Sequence, residues 1–398
     1  MAVETSSRDL APKPSAPAFW NNPTVRSIAY QIALVGGVVA VGTYLVHNTL
    51  TNLERQGIAT GFGFLSREAA FEIGESPISY SPADTYARAL LVGLLNTLIV
   101  AGIGVVLATI WGTLLGIARL STNWLIRRAA SVYVETVRNI PLLLQLFVWW
   151  DILRISAPGP RDAWKPLPGV FVSNRGVIFP VPVWQPVHLW MLVAFAVGIV
   201  ATVIVSRWAH RRQMATGQQF PMLWTGVTLI IGLPLLVYIL GGMPHELDVP
   251  ELRGFNFRGG KVISPEFVAL EVGLVVYTSG FIAEIVRAGI LGVGWGQSEA
   301  ASALGLRRGL ALRLVILPQA LRIIVPPMTS QYLNLTKNSS LAVAIGFPDL
   351  MSIDNTTINQ TGQAIEAIAL AMAVYLGISL LISLFMNWYN RMVRLVER

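Results

Sequence analysis

The 398-residue sequence has no cysteine, and its four histidines, His47, His188, His210 and His245, are scattered. The first absence excludes a disulfide framework, a thiol nucleophile and a cysteine metal site; the scatter argues against a histidine metal cluster. Charge is scarce as well. Only 13% of residues are Asp, Glu, Lys or Arg, where a soluble chain carries about a quarter. A phosphate-cradling loop of the form G-x-x-x-x-G-K-[ST] is also missing. The nearest stretch, "GFNFRGGKV" at 254–262, has a spacing one residue too long and Val262 in place of the hydroxyl residue. The chain itself is therefore not expected to hydrolyse ATP, and no nucleophile–base constellation or metal site stands out.

What is abundant is apolar sequence. Hydrophobic residues make up 54% of the chain and the mean hydropathy is +0.60, which places it among polytopic helical membrane proteins. Eight candidate spans follow. Those at 28–46, 89–118, 187–206, 223–240 and 367–390 carry no charge, while 131–153 (Glu135, Arg138, Asp151), 267–290 (Glu271, Glu284, Arg287) and 314–335 (Arg322) do. Residues 1–26 read as a polar tail, and the run at 28–46 as a retained helix, because no A-x-A-like cleavage site follows it. The net charge of +8 reads as arginine flanking spans rather than as a nucleic-acid surface. With both termini inside, the inner segments hold 16 Lys and Arg in 91 residues and the outer ones 11 in 132. That bias predicts cytoplasmic termini. Pro- and Gly-rich stretches such as "SAPGPRDAWKPLPGV" (156–170) read as ordered outer connections.

An ionisable residue at mid-membrane costs roughly 2.5–3.5 kcal/mol, so the three charged spans are the better candidates for a working core. Glu135, Asp151 and Glu271 lie near span ends, where snorkelling or an internal ion pair accounts for them. Between two charged spans stands "GQSEAASALGLRRGLALRLVILPQALRIIVPP" (296–327). Its alanines let another surface approach closely. Gly305 can take positive φ and end the helix in a sharp turn. A basic restart follows, and Pro318 is expected to kink the chain where it enters the membrane.

Glu299-Ala300-Ala301, Gly305-Leu306 and later Ile316-Leu317-Pro318 resemble the EAA loop of permease subunits in bacterial ABC importers. "GLLNTLIVAGIGVVLATIWGTLLGIARLS" (93–121), "YVETVRNIPLLLQLFVWW" (133–150), "YTSGFIAEIVRAGI" (277–290) and "QYLNLTKNSSLAVAIG" (331–346) resemble the polar amino-acid branch. The extra first span and the insertion are similar to the Q-type permeases of general L-amino-acid (Aap/Bzt-type) transporters. The resemblance implies an all-α integral membrane protein of about eight spans, with a type I (MetI-like) permease core of five. It divides the chain into a tail (1–27), an extra span with its outer loop (28–87), a first core part (88–153), an insertion with two spans (154–265), a second core part (266–390) with a coupling loop at 291–313, and a cytoplasmic end (391–398).

The implied partners are a second, different permease chain, two ATP-binding subunits, a periplasmic amino-acid-binding protein, an L-amino acid and membrane lipid. No cofactor is implied for this chain; ATP and Mg would sit on the ATPase. Glu299, Ala300, Ala301, Gly305, Leu306 and Pro318 would couple to it from the cytoplasmic face of the inner membrane.

For substrate, a zwitterion needs an anion or carbonyls for its ammonium and cations or amide donors for its carboxylate. Tyr277 and Glu284 are seven apart, on one helical face with Gly280 between them. Glu284 then meets either the substrate ammonium or Arg287. Asn334, Lys337, Asn338 and Ser339 read either as a donor set lining the path or as helix termination. Asn96 and Thr97 read as interhelical hydrogen-bonding residues. An ATP-independent secondary transporter is the alternative, although no symmetry between halves is visible; a membrane-embedded enzyme would need a catalytic cluster.

Overall fold

In lipid, an apolar run of about 20 residues has only its own backbone to hydrogen-bond, so it closes as a helix. The computed structural model describes residues 22–393 apart from 56, 58 and 59. Most of the tail expected at 1–27, and the end of the segment 391–398, lie outside the described residues. Among the described residues, seven helical stretches are long and apolar enough to cross a membrane: 23–52, 86–118, 186–216, 222–240, 265–291, 309–345 and 364–392.

The first, α1 (Pro23–Arg55), begins inside the expected tail and outruns the apolar stretch 28–46 at both ends. A connection through 62–66 leads to α2 (Tyr86–Ala118), whose N-cap Thr85 accepts from the Arg88 amide. The eighth expected span, 131–153, is not one helix. It is α3 (Trp124–Asn139) and α4 (Leu142–Asp151), broken at Ile140-Pro141. Proline disfavours helical backbone in the residue before it, and Ile140 is extended, with φ −95° and ψ 125°. Gln145 reaches back across the break, its Nε2 donating to the carbonyls of Val137 and Ile140, each at 2.9 Å.

The insertion is not purely helical loops and spans. Its first loop forms β1 (Trp164–Leu167), β2 (Val170–Ser173), β3 (Gly176–Phe179) and β4 (Val181–Pro182). A helical hairpin follows, from α5 (Pro186–Thr216) through Gly217, at φ 72°, to α6 (Met222–Val227) and α7 (Leu233–Leu240), the last two joined by a π-helical turn. The second loop holds β5 (Leu247–Asp248), β6 (Glu251–Arg253), β7 (Asn256–Arg258) and β8 (Lys261–Ile263). The two loops pair with each other: β3 lies antiparallel to β8, with Val177 opposite Ile263, and β4 to β5.

The core resumes with α8 (Pro265–Leu291), capped by the Ser264 side chain with Pro265 in the first turn. Next come α9 (Trp295–Ala303), α10 (Arg308–Ala311), α11 (Leu317–Asn338), α12 (Leu350–Thr361) and α13 (Ala364–Val393). The most extensive packing is between α2 and α8. Small residues recur every fourth position on α2, at Gly104, Ala108, Gly112 and Gly116, the pattern that lets membrane helices approach backbone to backbone. A Cβ on Gly112 would lie 2.6 Å from Ile282 and 2.9 Å from the Ser279 carbonyl; one on Gly116 would lie 2.8 Å from Val286 and from the Ala283 carbonyl. Ile282, Val286, Ala320, Val325, Met328 and Leu335 complete this core around α11.

Candidate functional site

The coupling segment begins where α8 ends. Helix α9 closes in a Schellman turn. Gly305 takes φ 73°; its amide donates to the Ser302 carbonyl at 2.9 Å, and the Leu306 amide to that of Ala301 at 3.1 Å. Ala301 is buried under this turn, whereas Glu299 and Ala300 are exposed. The Glu299 carboxylate accepts from Trp295 Nε1 at 2.9 Å. Trp295 and Leu304 are themselves 78% and 80% exposed, a large apolar surface for so short a helix. Both were missed in the sequence reading; an indole beside an alanine-rich motif was the available signal. Pro318 lies where the coupling segment runs into α11. It sits at the second residue of α11, after a π-helical turn at 312–316. A π turn accommodates the missing N–H and the ring's clash with the carbonyl four residues back, and a proline beside a π turn is where a helix bends.

On α8, the stripe of Tyr277, Gly280 and Glu284 is covered at Gly280, while Tyr277 and Glu284 are half-buried. The aliphatic stem of Arg138 covers Gly280, its Cγ 3.1 Å from where a Cβ would stand. The Arg138 guanidinium lies 5.0 Å from the centroid of Phe281, whose ring contacts that of Tyr277. Glu284 is bound by Arg119 at the end of α2, by Arg287 at 3.2 Å and by Arg138 at 3.8 Å. The anticipated partner Arg287 is therefore one of three. Arg119, 165 positions away in sequence, was not anticipated, and no local pattern announces it.

The 334–339 group is divided. Asn334 and Lys337 are exposed, Asn338 is half-buried and Ser339 is buried. Ser339 Oγ donates to the Thr336 carbonyl at 2.7 Å, a helix-terminating bond. Lys337 borders a hollow of about 400 Å³ with Met351, Tyr375 and Ser379. Tyr277 packs against the core cluster to which Ala342 and Ile345, just beyond this group, also belong, but Glu284 lies about 10 Å further along α8. The six residues assigned to the substrate path do not converge on one point. Asn96 and Thr97 do tie elements together: Asn96 Nδ2 donates to the carbonyls of Glu75 and Pro348, and Thr97 Oγ1 accepts from the Leu350 amide.

Three buried carboxyls complete the picture. Glu271 neither snorkels nor pairs: it is 6% exposed, with no partner for either oxygen. A Cβ on Gly104 would lie 3.3 Å from its Oε2, so that glycine makes room for the carboxyl. Glu135 and Asp151, by contrast, are exposed. Asp349 caps α12 through the Ser352 amide at 2.9 Å and accepts from the Tyr375 hydroxyl at 3.3 Å; burial nonetheless raises its carboxyl to about 6. Asp354 is fully buried with neither oxygen partnered, and burial lifts it to about 6 as well. The stretch 254–262 forms the turn between β6 and β7 and runs into β8, not into the helix a phosphate loop needs.

Residues 206–395 match the family described as the binding-protein-dependent transport system inner membrane component. Over 95% of its length the chain is 53% identical to the general L-amino acid transport system permease protein AapQ of Rhizobium johnstonii, covering 94% of that protein. It is 51% identical over 95% of its length to the putative amino-acid ABC transporter permease protein YhdX of Escherichia coli, covering 96% of it. The glutamate/glutamine/aspartate/asparagine transport system permease protein BztB of Rhodobacter capsulatus is 44% identical over 94% of this chain and 95% of its own length.

Proposed function

The chain belongs to the Aap/Bzt-type permeases of amino-acid ABC importers, and from that premise we propose how its parts divide the work. It is a multi-pass inner-membrane permease subunit for amino acids, and that membership replaces the secondary-transporter alternative. In this reading it forms half of the path, with a second permease chain supplying the other half. Two ATPase subunits bind ATP and Mg below, and a binding protein delivers substrate above. Both termini and α9 face the cytoplasm, and the strand-bearing insertion faces the periplasm, as the Lys and Arg bias indicates.

Coupling is assigned to α9 and its elbow. The observation that carries it is the exposed pair Trp295 and Leu304 on a short helix held at a fixed angle by Gly305. An ATPase cleft would bury this apolar surface, with exposed Glu299 and Ala300 at its rim. Closure of the ATPase pair would then move α8 and α11, which flank the elbow. The substrate assignment rests on the exposed donors Asn334 and Lys337 with half-buried Asn338; Ser339 and Glu284 serve structural bonds instead. The test is to purify the complex through a tag on this chain, reconstitute it, and add binding protein with single amino acids. An ATPase subunit should copurify, and its hydrolysis rate should rise with substrate. Amino-acid uptake by this chain with no ATPase present would overturn the reading.

A further inference from the structure

Glu284 is outnumbered. Its carboxylate stands among three guanidiniums, from Arg119, Arg138 and Arg287. Glu135, three residues before Arg138, is exposed and forms none of the ion pairs found among the described residues. Two positive charges are therefore left over, next to spanning helices, where an unmatched cation draws in an anion.

The cluster is also open. The side chains of Arg138 and Arg287 are 39% and 36% exposed and that of Glu284 33%, against 11% for Arg119. Arg138 is held by packing rather than by charge. Its stem lies on Gly280 and its plane near Phe281, while its sole ion pair, to Glu284, is the long one at 3.8 Å. A guanidinium has five N–H donors in a rigid fork, so most of those on Arg138 remain free and pre-aimed.

We propose that Arg138 and Arg287 form a carboxylate-binding site, which takes the α-carboxylate of an amino acid on its way through the permease. The proposal rests on the importer reading above, and it reverses the role first suggested by Glu284. Instead of receiving the ammonium of the substrate, Glu284 competes with its carboxylate for the same arginines. A planar fork suits a carboxylate bidentately, and the competing glutamate keeps the hold weak enough for release. Arg119, the most buried, anchors Glu284 rather than touching substrate.

The test uses the purified complex. Binding of radiolabelled L-glutamine and L-glutamate is measured by equilibrium dialysis without the binding protein, and uptake KM and kcat in liposomes with it. Arg138→Met keeps the stem on Gly280 and removes the charge; it should weaken binding about tenfold or more, and Arg138→Lys should restore part of the loss. Glu284→Gln should tighten binding and lower kcat, the opposite of what an ammonium site requires. Weaker binding by Glu284→Gln with Arg138→Met unchanged would overturn the proposal. So would an Arg138→Met defect that follows the anionic-lipid content of the liposomes, which would make this a headgroup site. Should Arg138→Met fail to assemble, the wild-type complex decides: L-glutamine should bind at least about tenfold more tightly than its decarboxylated amine, and equal binding would overturn the site. A wild-type complex that imports no amino acid at all would instead fell the importer reading, and the carboxylate site with it.

Discussion

At Gly305 the backbone alone sets the constraint. A Cβ there would meet nothing within 4 Å, yet φ is 73°, a region that costs most residues roughly 1–2 kcal/mol. Gly305→Val should therefore leave membrane insertion intact while abolishing uptake and reducing ATPase copurification. Gly305→Asn, which tolerates this region better, should retain part of both; full uptake by well-inserted Gly305→Val would remove the elbow from the coupling role. Asp354 makes a pH prediction. Its carboxyl rises from 3.8 to about 6 on folding because burial penalises the charge. Between those values the unfolded chain has lost a proton that the folded one keeps, so stability falls as pH rises through this window and stays lower above it. Asp354→Asn should raise Tm at about pH 8, by an amount that shrinks towards about pH 4. Thermal scans across pH check this; a pH-independent shift would mean that Asp354 is not the group responsible.

Between elements, the glycine stripe on α2 gives a paired comparison. Gly112→Ala must push Ile282 away from the 2.6 Å a Cβ would leave it, while at Gly102 nothing lies within 4 Å. Both changes replace glycine by alanine within one helix, so helix propensity favours them equally. Gly112→Ala should lose about 1–3 kcal/mol of stability and Gly102→Ala should be close to neutral, as read by thermal denaturation in detergent; equal shifts would mean that α2 and α8 are not held by close approach. Much at this scale was legible in sequence. Long apolar runs announced the helices, and Gly305 announced its turn. The break at Ile140-Pro141 was not read: proline restricts its neighbour, but the surrounding apolar residues made 131–153 look like one span. The strands were not: each has two to four residues, and β3, beside β2 on one edge, finds its other partner, β8, only after the hairpin between them. Nor was the cluster around Glu284, since Arg119 and Arg138 reach it from other helices. A single-sequence pattern sees the period of one element, not which faces meet.

For the whole molecule the first question is orientation. The chain has no cysteine of its own, so single cysteines report cleanly. One placed within 156–170 should be labelled from the periplasm by a membrane-impermeant maleimide, and one within 209–218 should not; the reverse would turn the molecule over and move α9 away from any cytoplasmic ATPase. The insertion has a further consequence. Arg154, its first residue, and Glu266, just after it, are 3.7 Å apart, so the chain departs from the core and comes back to nearly the same place. Between them lie α5 and then α6 with α7, two stretches each long and apolar enough to cross the membrane, and two such crossings would leave the direction of α8 unchanged. Such a detour can be gained or lost in one splice without inverting anything downstream. A chain with 157–263 replaced by a short glycine–serine bridge, and Ser264 kept to cap α8, should insert with α9 on its original side. Cysteine labelling in the coupling loop would read the outcome directly, and a flipped loop would show that parity alone does not govern how this core is laid into the bilayer.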